Sequence, residues 1–98
     1  MITTLKRQVI KRCPFKNEMD AGELTIVIDG PAPELHALGG QVDEIAAKPV
    51  SHEDFTVAVA ELVPGCAVLT TWRTGPWSVE VREGNDDLLR EPVERQGA

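Results

Sequence analysis

The spacing of apolar residues switches twice along this chain, and the switch limits the folds open to it. Leu24, Ile26 and Ile28 alternate with other residues, the period of two that is typical of a β-strand. From residue 33 to 47 the apolar positions follow one stripe of a helix: Leu35, Leu38, Val42, Ile45 and Ala46. Gly39-Gly40 within this stripe predicts either an interrupted helix or the close approach of another backbone.

A second helix has a defined beginning and end. Ser51 is a good N-cap, and Asp54 three residues later completes a capping box. Pro64-Gly65 ends the helix. Its apolar stripe is Phe55, Val59, Leu62 and Val63.

Alternation returns after the second helix and predicts a hairpin. Residues 66–73 form an apolar, β-branched run, residues 77–81 alternate, and Thr74-Gly75-Pro76 lies between them. Trp77 is expected in the core, and Trp72 either in the core or at a subunit interface. Residues 3–12 are a weaker strand candidate because charged residues blur the alternation, and residues 16–22 read as a loop.

The resulting element order is ββααββ, so the predicted fold class is α+β, with two hairpins flanking a pair of helices. An antiparallel sheet with both helices on one face satisfies this order. We expect a single domain over residues 1–83 and a flexible C-terminal tail over residues 84–98. The open edges of such a sheet favour association with further copies of the chain.

Charge and cysteine content exclude some classes of function. The formal net charge is −6, which disfavours tight binding to a nucleic acid backbone. No apolar run reaches the roughly 18–20 residues of a membrane span. The first residues show no apolar segment typical of a secretory signal, and two cysteines are too few for a disulfide framework. Both features favour a reducing compartment, so we expect a cytoplasmic protein. Neither a Cys-x-x-Cys motif nor a histidine-rich pair is present, so no metal site is predicted.

Cys13 is the best candidate for chemistry. Pro14 places it in an extended or turning segment, and Lys11, Arg12 and Lys16 flank it. Nearby cations favour the thiolate, which is the nucleophilic form of cysteine. A small buried core residue is the alternative, and position alone leaves both open. Cys66 begins an apolar strand and is expected in the core.

Three other polar positions are candidates for a site. Asp20 lies seven residues after Cys13 and could supply or take a proton, although a solvated loop aspartate is the commoner case. Glu53, next to His52 in the first turn of the second helix, could accept two hydrogen bonds from a guanine-like edge. Acidic residues are also favoured there by the helix dipole alone.

Together these residues resemble a known family. The element order looks like one unit of the tunnelling fold, and Cys13-Pro14 with Asp20 is similar to the signature of the 7-cyano-7-deazaguanine reductases. These enzymes are the nitrile reductases of queuosine synthesis. His52-Glu53 stands where that family carries its His-Glu pair, and Arg73-Thr74-Gly75 looks like a degraded Arg-Gly-Gly.

The resemblance implies roles for these residues. Cys13 would add to the nitrile carbon and form a covalent thioimide, and Asp20 would act as general acid on the nitrile nitrogen. Glu53 would anchor the deazaguanine edge, Arg73 would assist substrate binding, and His52 would help to orient the catalytic site. Family members assemble as rings with sites between subunits, which implies an oligomeric barrel.

One departure from the family pattern favours one of two chemistries. The reductases hold NADPH phosphates with a Glu-x-Lys-x-x-Lys motif, but the matching stretch here is Glu34-Leu35-His36-Ala37-Leu38-Gly39, without lysines. Shorter archaeosine-type relatives also lack the motif and let ammonia displace the cysteine, giving an amidine. The first expectation is therefore amidine formation without a cofactor, on a free deazapurine or on one within a nucleic acid.

Two alternatives stay open at this point. One is an NADPH-dependent nitrile reductase with an altered cofactor site. The other is a non-catalytic oligomeric binding module with a structural cysteine.

Overall fold

The computed structural model describes residues 1–90, and its elements follow the predicted order ββααββ. The elements are β1 (Ile2–Arg12), β2 (Met19–Asp29), α1 (Leu35–Ala46), α2 (His52–Leu62), β3 (Ala67–Thr74), β4 (Trp77–Gly84) and a 3-10 helix at Asp86–Leu89. The α+β fold class is confirmed.

The four strands form one antiparallel sheet in the order β1-β2-β3-β4. Two hairpins, β1-β2 and β3-β4, lie side by side, and the two helices connect the inner strands β2 and β3. Helix α1 packs against β1 and α2, and α2 packs against β3 and β4. Both helices therefore cover one face of the sheet, and β1 and β4 form its edges.

The core lies between the helices and this face. Side chains of alternate strand residues meet Leu38 and Val42 of α1 and Phe55 and Val59 of α2. The strand contribution to the core is Val9, Leu24, Ile26, Ile28, Cys66, Val68 and Trp72. Cys66 is therefore a core residue, as predicted, and Trp72 belongs to the core rather than to a surface.

The helices begin as their sequences indicate. The Ser51 hydroxyl accepts a hydrogen bond from the Asp54 amide at 3.0 Å, and α2 ends at Leu62, before Pro64-Gly65. Helix α1 runs through Gly39 and Gly40 without a break. A Cβ on Gly40 would meet nothing within 4 Å, and one on Gly39 would meet only Arg7 Nη1, at 3.8 Å. Neither explanation predicted for this glycine pair is correct.

Two sequence-based predictions about the strands are wrong. Strand β2 begins at Met19, so Asp20 lies in a strand opposite Lys11 and not in a loop. Trp77 is 72% exposed. Its cross-strand partner is Thr74, at the tip of the β3-β4 hairpin. Alternation predicts the face on which a side chain lies but not whether other elements cover it there.

The segment predicted as a tail begins with ordered structure. Strand β4 ends at Gly84, and the 3-10 helix that follows packs against β2 and β3. This contact accounts for the burial of Val27 and Ala67, whose side chains point away from α1 and α2. The rest of the predicted tail, residues 91–98, lies outside the described residues.

Within residues 1–90, α1 and α2 have 12 and 11 residues and are too short to span a membrane.

Candidate active site

A cleft of about 280 Å³ opens where β1 ends, between the β1-β2 turn and the beginning of α2. Four of the five predicted site residues line it: Cys13, Asp20, His52 and Glu53. Cys13 and Asp20 come from the first hairpin, and His52 and Glu53 come from a helix that begins about forty residues later. The fold therefore brings together residues that are distant in sequence.

Cys13 follows the last residue of β1 and is a free, half-buried cysteine. Its amide donates to the Glu18 carbonyl at 3.0 Å, which continues the β1-β2 pairing by one position. Since Lys11 pairs with Asp20, Cys13 is the diagonal neighbour of Asp20 on the same face of the sheet. Diagonal neighbours lie about 7–8 Å apart, which leaves room for a small group between the thiol and the carboxyl group.

The basic residues that flank Cys13 in sequence separate in the structure. Lys11 and Lys16 line the cleft with Cys13. Arg12 is exposed, and its Nη1 donates to Asn17 Oδ1 at 2.9 Å, away from the cleft. The predicted positive surroundings of the thiol therefore reduce to two lysines.

Asp20 forms an ion pair that the sequence analysis missed. Lys11 Nζ donates to Asp20 Oδ2 at 3.0 Å and to the Val50 carbonyl oxygen at 2.8 Å. The side chain of Lys11 is 0% exposed and that of Asp20 is 13% exposed. Lys11 shares the face of Val9 and Cys13 by strand alternation, and this was the available signal for its burial.

His52 is held by an aromatic stack. Its ring lies parallel to Trp72 with centroids 4.7 Å apart, and Phe55 meets the same indole edge-on. His52 Nε2 is 3.2 Å from Thr74 Oγ1, another residue of the cleft. Trp72 is in turn fixed by a hydrogen bond from Nε1 to Thr70 Oγ1 at 2.9 Å.

The surroundings of His52 favour a neutral ring. Burial lowers the pKa of His52 below its ordinary value of 6.5, and the Lys11 ammonium lowers it further. The negative charges of Asp20 and Glu53 act in the opposite direction but do not reverse the shift. At neutral pH the ring can therefore accept or donate one hydrogen bond at Nε2 without adding charge to the cleft.

Glu53 and Arg73 occupy different environments. Glu53 lies exposed in the first turn of α2 and lines the cleft, with both carboxylate oxygens free of hydrogen bonds in the described part of the chain. Arg73 is also exposed but does not line the cleft. It borders a separate depression with Gln8 and Ser78, on the sheet face opposite the helices. The structure does not bring Arg73 to the other four predicted residues within one chain.

The beginning of α2 is tied to the end of β1 through Val50. The Val50 amide donates to the Arg12 carbonyl oxygen at 3.2 Å, and the Val50 carbonyl oxygen accepts from Lys11 Nζ. Both backbone groups of one residue therefore bind β1. This tether fixes the position of His52-Glu53 relative to Cys13.

Residues 1–90 contain no group of three or more His, Cys, Asp or Glu side chains that could hold a metal ion.

The other cysteine, Cys66, does not line the cleft. Its thiol donates to the Ala60 carbonyl oxygen at 3.7 Å, and burial raises its pKa. Cys13 is the more accessible thiol of the two, because it is only half-buried and lines the cleft.

Comparison with solved structures supports the fold. No protein-family model matches the sequence, and no curated protein matches it either. Among solved structures, the chain is similar to a crystal structure of the archaeosine synthase QueF-Like in the apo form. The two share 21% sequence identity with a TM-score of 0.75, and the match covers 84% of this chain and 90% of that chain. The chain therefore adopts the tunnelling fold predicted from its sequence, in the form found in that synthase.

Proposed function

We propose that this chain is an enzyme that captures the nitrile of 7-cyano-7-deazaguanine as a thioimide on Cys13 and converts it to an amidine with ammonia. One observation carries the proposal: Cys13, Asp20, His52 and Glu53 converge on a single cleft. The structural similarity to an archaeosine synthase supports the same class of substrate. The cleft volume of about 280 Å³ is near the lower limit of small-molecule pockets, which suits a single base.

The first half of the reaction forms a carbon–sulfur bond. The Cys13 sulfur attacks the nitrile carbon, one π-bond of the nitrile breaks, and the nitrogen takes up a proton. Asp20 lies diagonally across from Cys13, takes the thiol proton on its carboxylate and passes that proton to the nitrile nitrogen. The thiol proton has then moved to the nitrogen, and the product is a neutral thioimide.

The second half releases the product without any change of oxidation state. Ammonia adds to the thioimide carbon, the carbon–sulfur bond breaks, and the sulfur regains a proton. The net change adds ammonia across the nitrile and gives an amidine. Glu53 holds the N–H edge of the base, and neutral His52 orients the reacting group through Nε2.

The beginning of α1 supports a reaction without NADPH. A helix N-terminus can hold phosphate with its free amides. Here the Glu34 carboxylate already accepts hydrogen bonds from the amides of Ala37 at 2.6 Å and His36 at 3.0 Å. These hydrogen bonds lower the pKa of Glu34, so its negative charge stays at the position that a phosphate would need. The lysines of the reductase motif are also missing from this stretch.

Intact-mass spectrometry of the protein incubated with 7-cyano-7-deazaguanine tests the proposal. We expect a covalent adduct on the wild type and on Cys66→Ala, and none on Cys13→Ala. Cys66→Ala is the matched control because it removes the other cysteine. An adduct on Cys13→Ala would disprove the assignment of the nucleophile, and no adduct on the wild type would favour a non-catalytic binding module.

The fate of the adduct separates amidine formation from reduction. Adding ammonia should release the amidine and restore the mass of the free protein. NADPH should give no decrease in absorbance at the nicotinamide band. Substrate-dependent oxidation of micromolar NADPH would instead establish a nitrile reductase.

A further inference from the structure

The cleft contains one buried charged group that the proposed reaction does not use, the ammonium of Lys11. Its side chain is inaccessible to solvent, with contacts to three parts of the fold. Nζ binds Asp20 Oδ2 in β2 and the Val50 carbonyl oxygen before α2, and lies 4.8 Å from the centroid of the Trp72 ring in β3. A buried ammonium is tolerated only with such partners, so the position of each partner is tied to the position of Lys11.

Lys11 engages only one of the two oxygens of Asp20. The ion pair uses Oδ2, and Oδ1 makes no hydrogen bond within the described residues. The Asp20 side chain lines the cleft and retains a small exposed fraction. With Oδ2 fixed against the wall of the cleft, rotation of the carboxyl group is restricted and Oδ1 remains available for a ligand.

We propose that Lys11 is the positioning residue for proton transfer by Asp20. By holding Oδ2, it keeps Oδ1 beside the place where the nitrile nitrogen lies when the Cys13 sulfur reaches the carbon. Lys11 acts through Asp20 rather than on the substrate, because its ammonium is inaccessible to solvent and is already bound to Asp20 Oδ2 and the Val50 carbonyl oxygen. This inference rests on the proposed function and adds a residue to its machinery.

The predicted consequence is a loss in the bond-forming step but not in binding. A misplaced proton donor slows thioimide formation, because proton transfer of this kind contributes a factor of about 10²–10⁴ to a rate. Lys11→Met removes one of the two hydrogen bonds that tether Val50 to β1, but the Val50 amide still donates to the Arg12 carbonyl oxygen and keeps Glu53 at the cleft. Substrate affinity should therefore stay near that of the wild type.

The test measures the rate of adduct formation as a function of nitrile concentration for Lys11→Met. We expect the maximal rate to fall about 100-fold, with the half-saturating nitrile concentration changed less than about threefold. Lys6→Met is the matched control, since Lys6 lies exposed in the same strand and forms no ion pair within residues 1–90, and it should behave as the wild type. A wild-type maximal rate in Lys11→Met would overturn the proposal. A loss of affinity as large as the loss of rate would also overturn it, because that pattern indicates a damaged cleft.

A second comparison keeps the proposal testable if Lys11→Met does not fold. Asp20→Asn and the double variant Lys11→Met/Asp20→Asn both lack the carboxylate, and the double variant also lacks the unpaired ammonium. If Lys11 acts through Asp20, the two should form the adduct at the same slow rate, within about twofold, as expected when two residues act as one unit. A further tenfold loss in the double variant would show an independent role and overturn the proposal.

These outcomes separate the two claims. Absence of an adduct on the wild type would disprove the proposed function and this inference with it. A normal adduct on the wild type, with Lys11→Met equally fast, would disprove the role of Lys11 alone.

Discussion

Two ion pairs of this protein have similar distances but very different surroundings. Lys11 and Asp20 are joined at 3.0 Å with side chains 0% and 13% exposed, and Arg7 and Asp43 at 2.9 Å with side chains 41% and 67% exposed. Exposed pairs contribute little because water and salt screen them. Removing one partner of a buried pair leaves an uncompensated charge away from water, which is costly.

Asp20→Asn is therefore predicted to destabilise the protein as well as to slow its chemistry. The amide still accepts a hydrogen bond, but the Lys11 ammonium loses its counter-charge. We expect the free energy of unfolding to fall by about 3 kcal/mol in urea denaturation. Asp43→Asn should change it by about 0.5 kcal/mol or less. Equal effects of the two substitutions would contradict this account.

His52 is predicted to make the stability depend on pH. Its pKa in the folded protein lies below the ordinary value of 6.5, so the unfolded chain binds the proton more readily. The resulting stabilisation is complete above about pH 6.5 and is lost as the pH falls through the folded value. Urea denaturation of the wild type and His52→Gln across this range measures the effect.

The variant His52→Gln should lack this component of the pH dependence. His36→Gln is the control, because it removes the other histidine of the chain, which lies exposed at the beginning of α1 and not in the cleft. If His52→Gln loses stability towards acid as steeply as the wild type does, another group is responsible.

Four residues of the cleft are predictable from the sequence, but the buried lysine beside them is not. Spacing, position relative to the predicted elements and the family resemblance together indicate Cys13, Asp20, His52 and Glu53. Lys11 was interpreted as one of several cations near the thiol, because a lysine in a strand is usually solvated. Strand alternation places Lys11 on the same face as Val9, but its partners Asp20, Val50 and Trp72 come from three other segments, and alternation does not predict them.

At the scale of elements, the cleft depends on one close contact between β2 and β3. Gly22 is the cross-strand neighbour of Trp72, and the indole lies over it. The same indole carries the His52 ring and faces the Lys11 ammonium. The missing side chain at Gly22 therefore gives Trp72 the space it needs to support the cleft.

Gly22→Ala is predicted to disturb both stability and the cleft. A Cβ there would lie 2.5 Å from Trp72 Cε3 and 2.6 Å from the Thr71 carbonyl oxygen, so the ring or the backbone must move. Overpacking of this kind costs about 1–3 kcal/mol. We expect a lower melting temperature, a changed tryptophan fluorescence and slower adduct formation.

Gly40→Ala is the matched control, since a Cβ on Gly40 meets nothing within 4 Å and the residue lies within α1. It should stabilise the protein by about 0.5–1 kcal/mol through helix propensity. A Gly22→Ala protein as stable as Gly40→Ala would contradict the close contact.

The elements were predictable where periodicity was strong and not where it was interrupted. The stripes of α1 and α2 and the alternation of Leu24, Ile26 and Ile28 gave the correct types. The first four residues of β2, Met19-Asp20-Ala21-Gly22, were missed because they contain no β-branched or aromatic residue and end in a glycine. Pairing with β1 extends the strand there despite the local sequence.

At the scale of the whole molecule, the sheet ends in two uncovered edge strands, β1 and β4. Exposed apolar side chains lie on the first hairpin, including Ile10 at 60% and Met19 at 56%. Both observations favour association with further copies of the chain. Such an assembly could also bring Arg73 of one copy near the cleft of another.

We therefore predict a homo-oligomer. Light scattering coupled to size-exclusion chromatography should give a mass that is a multiple of 10.7 kDa across a dilution series. A mass of one chain at every concentration, in a preparation that forms the nitrile adduct, would show that the cleft works without a partner copy.

The attachment of Val50 to β1 makes one backbone amide a reporter for the whole cleft. Its N–H is bonded to the Arg12 carbonyl oxygen, so deuterium can replace that hydrogen only when α2 and the end of β1 separate. The exchange rate at Val50 therefore reports how often the end of β1, which carries Cys13, separates from the beginning of α2, which carries Glu53. A ligand that joins them should slow this exchange in proportion to its occupancy, even if no turnover follows.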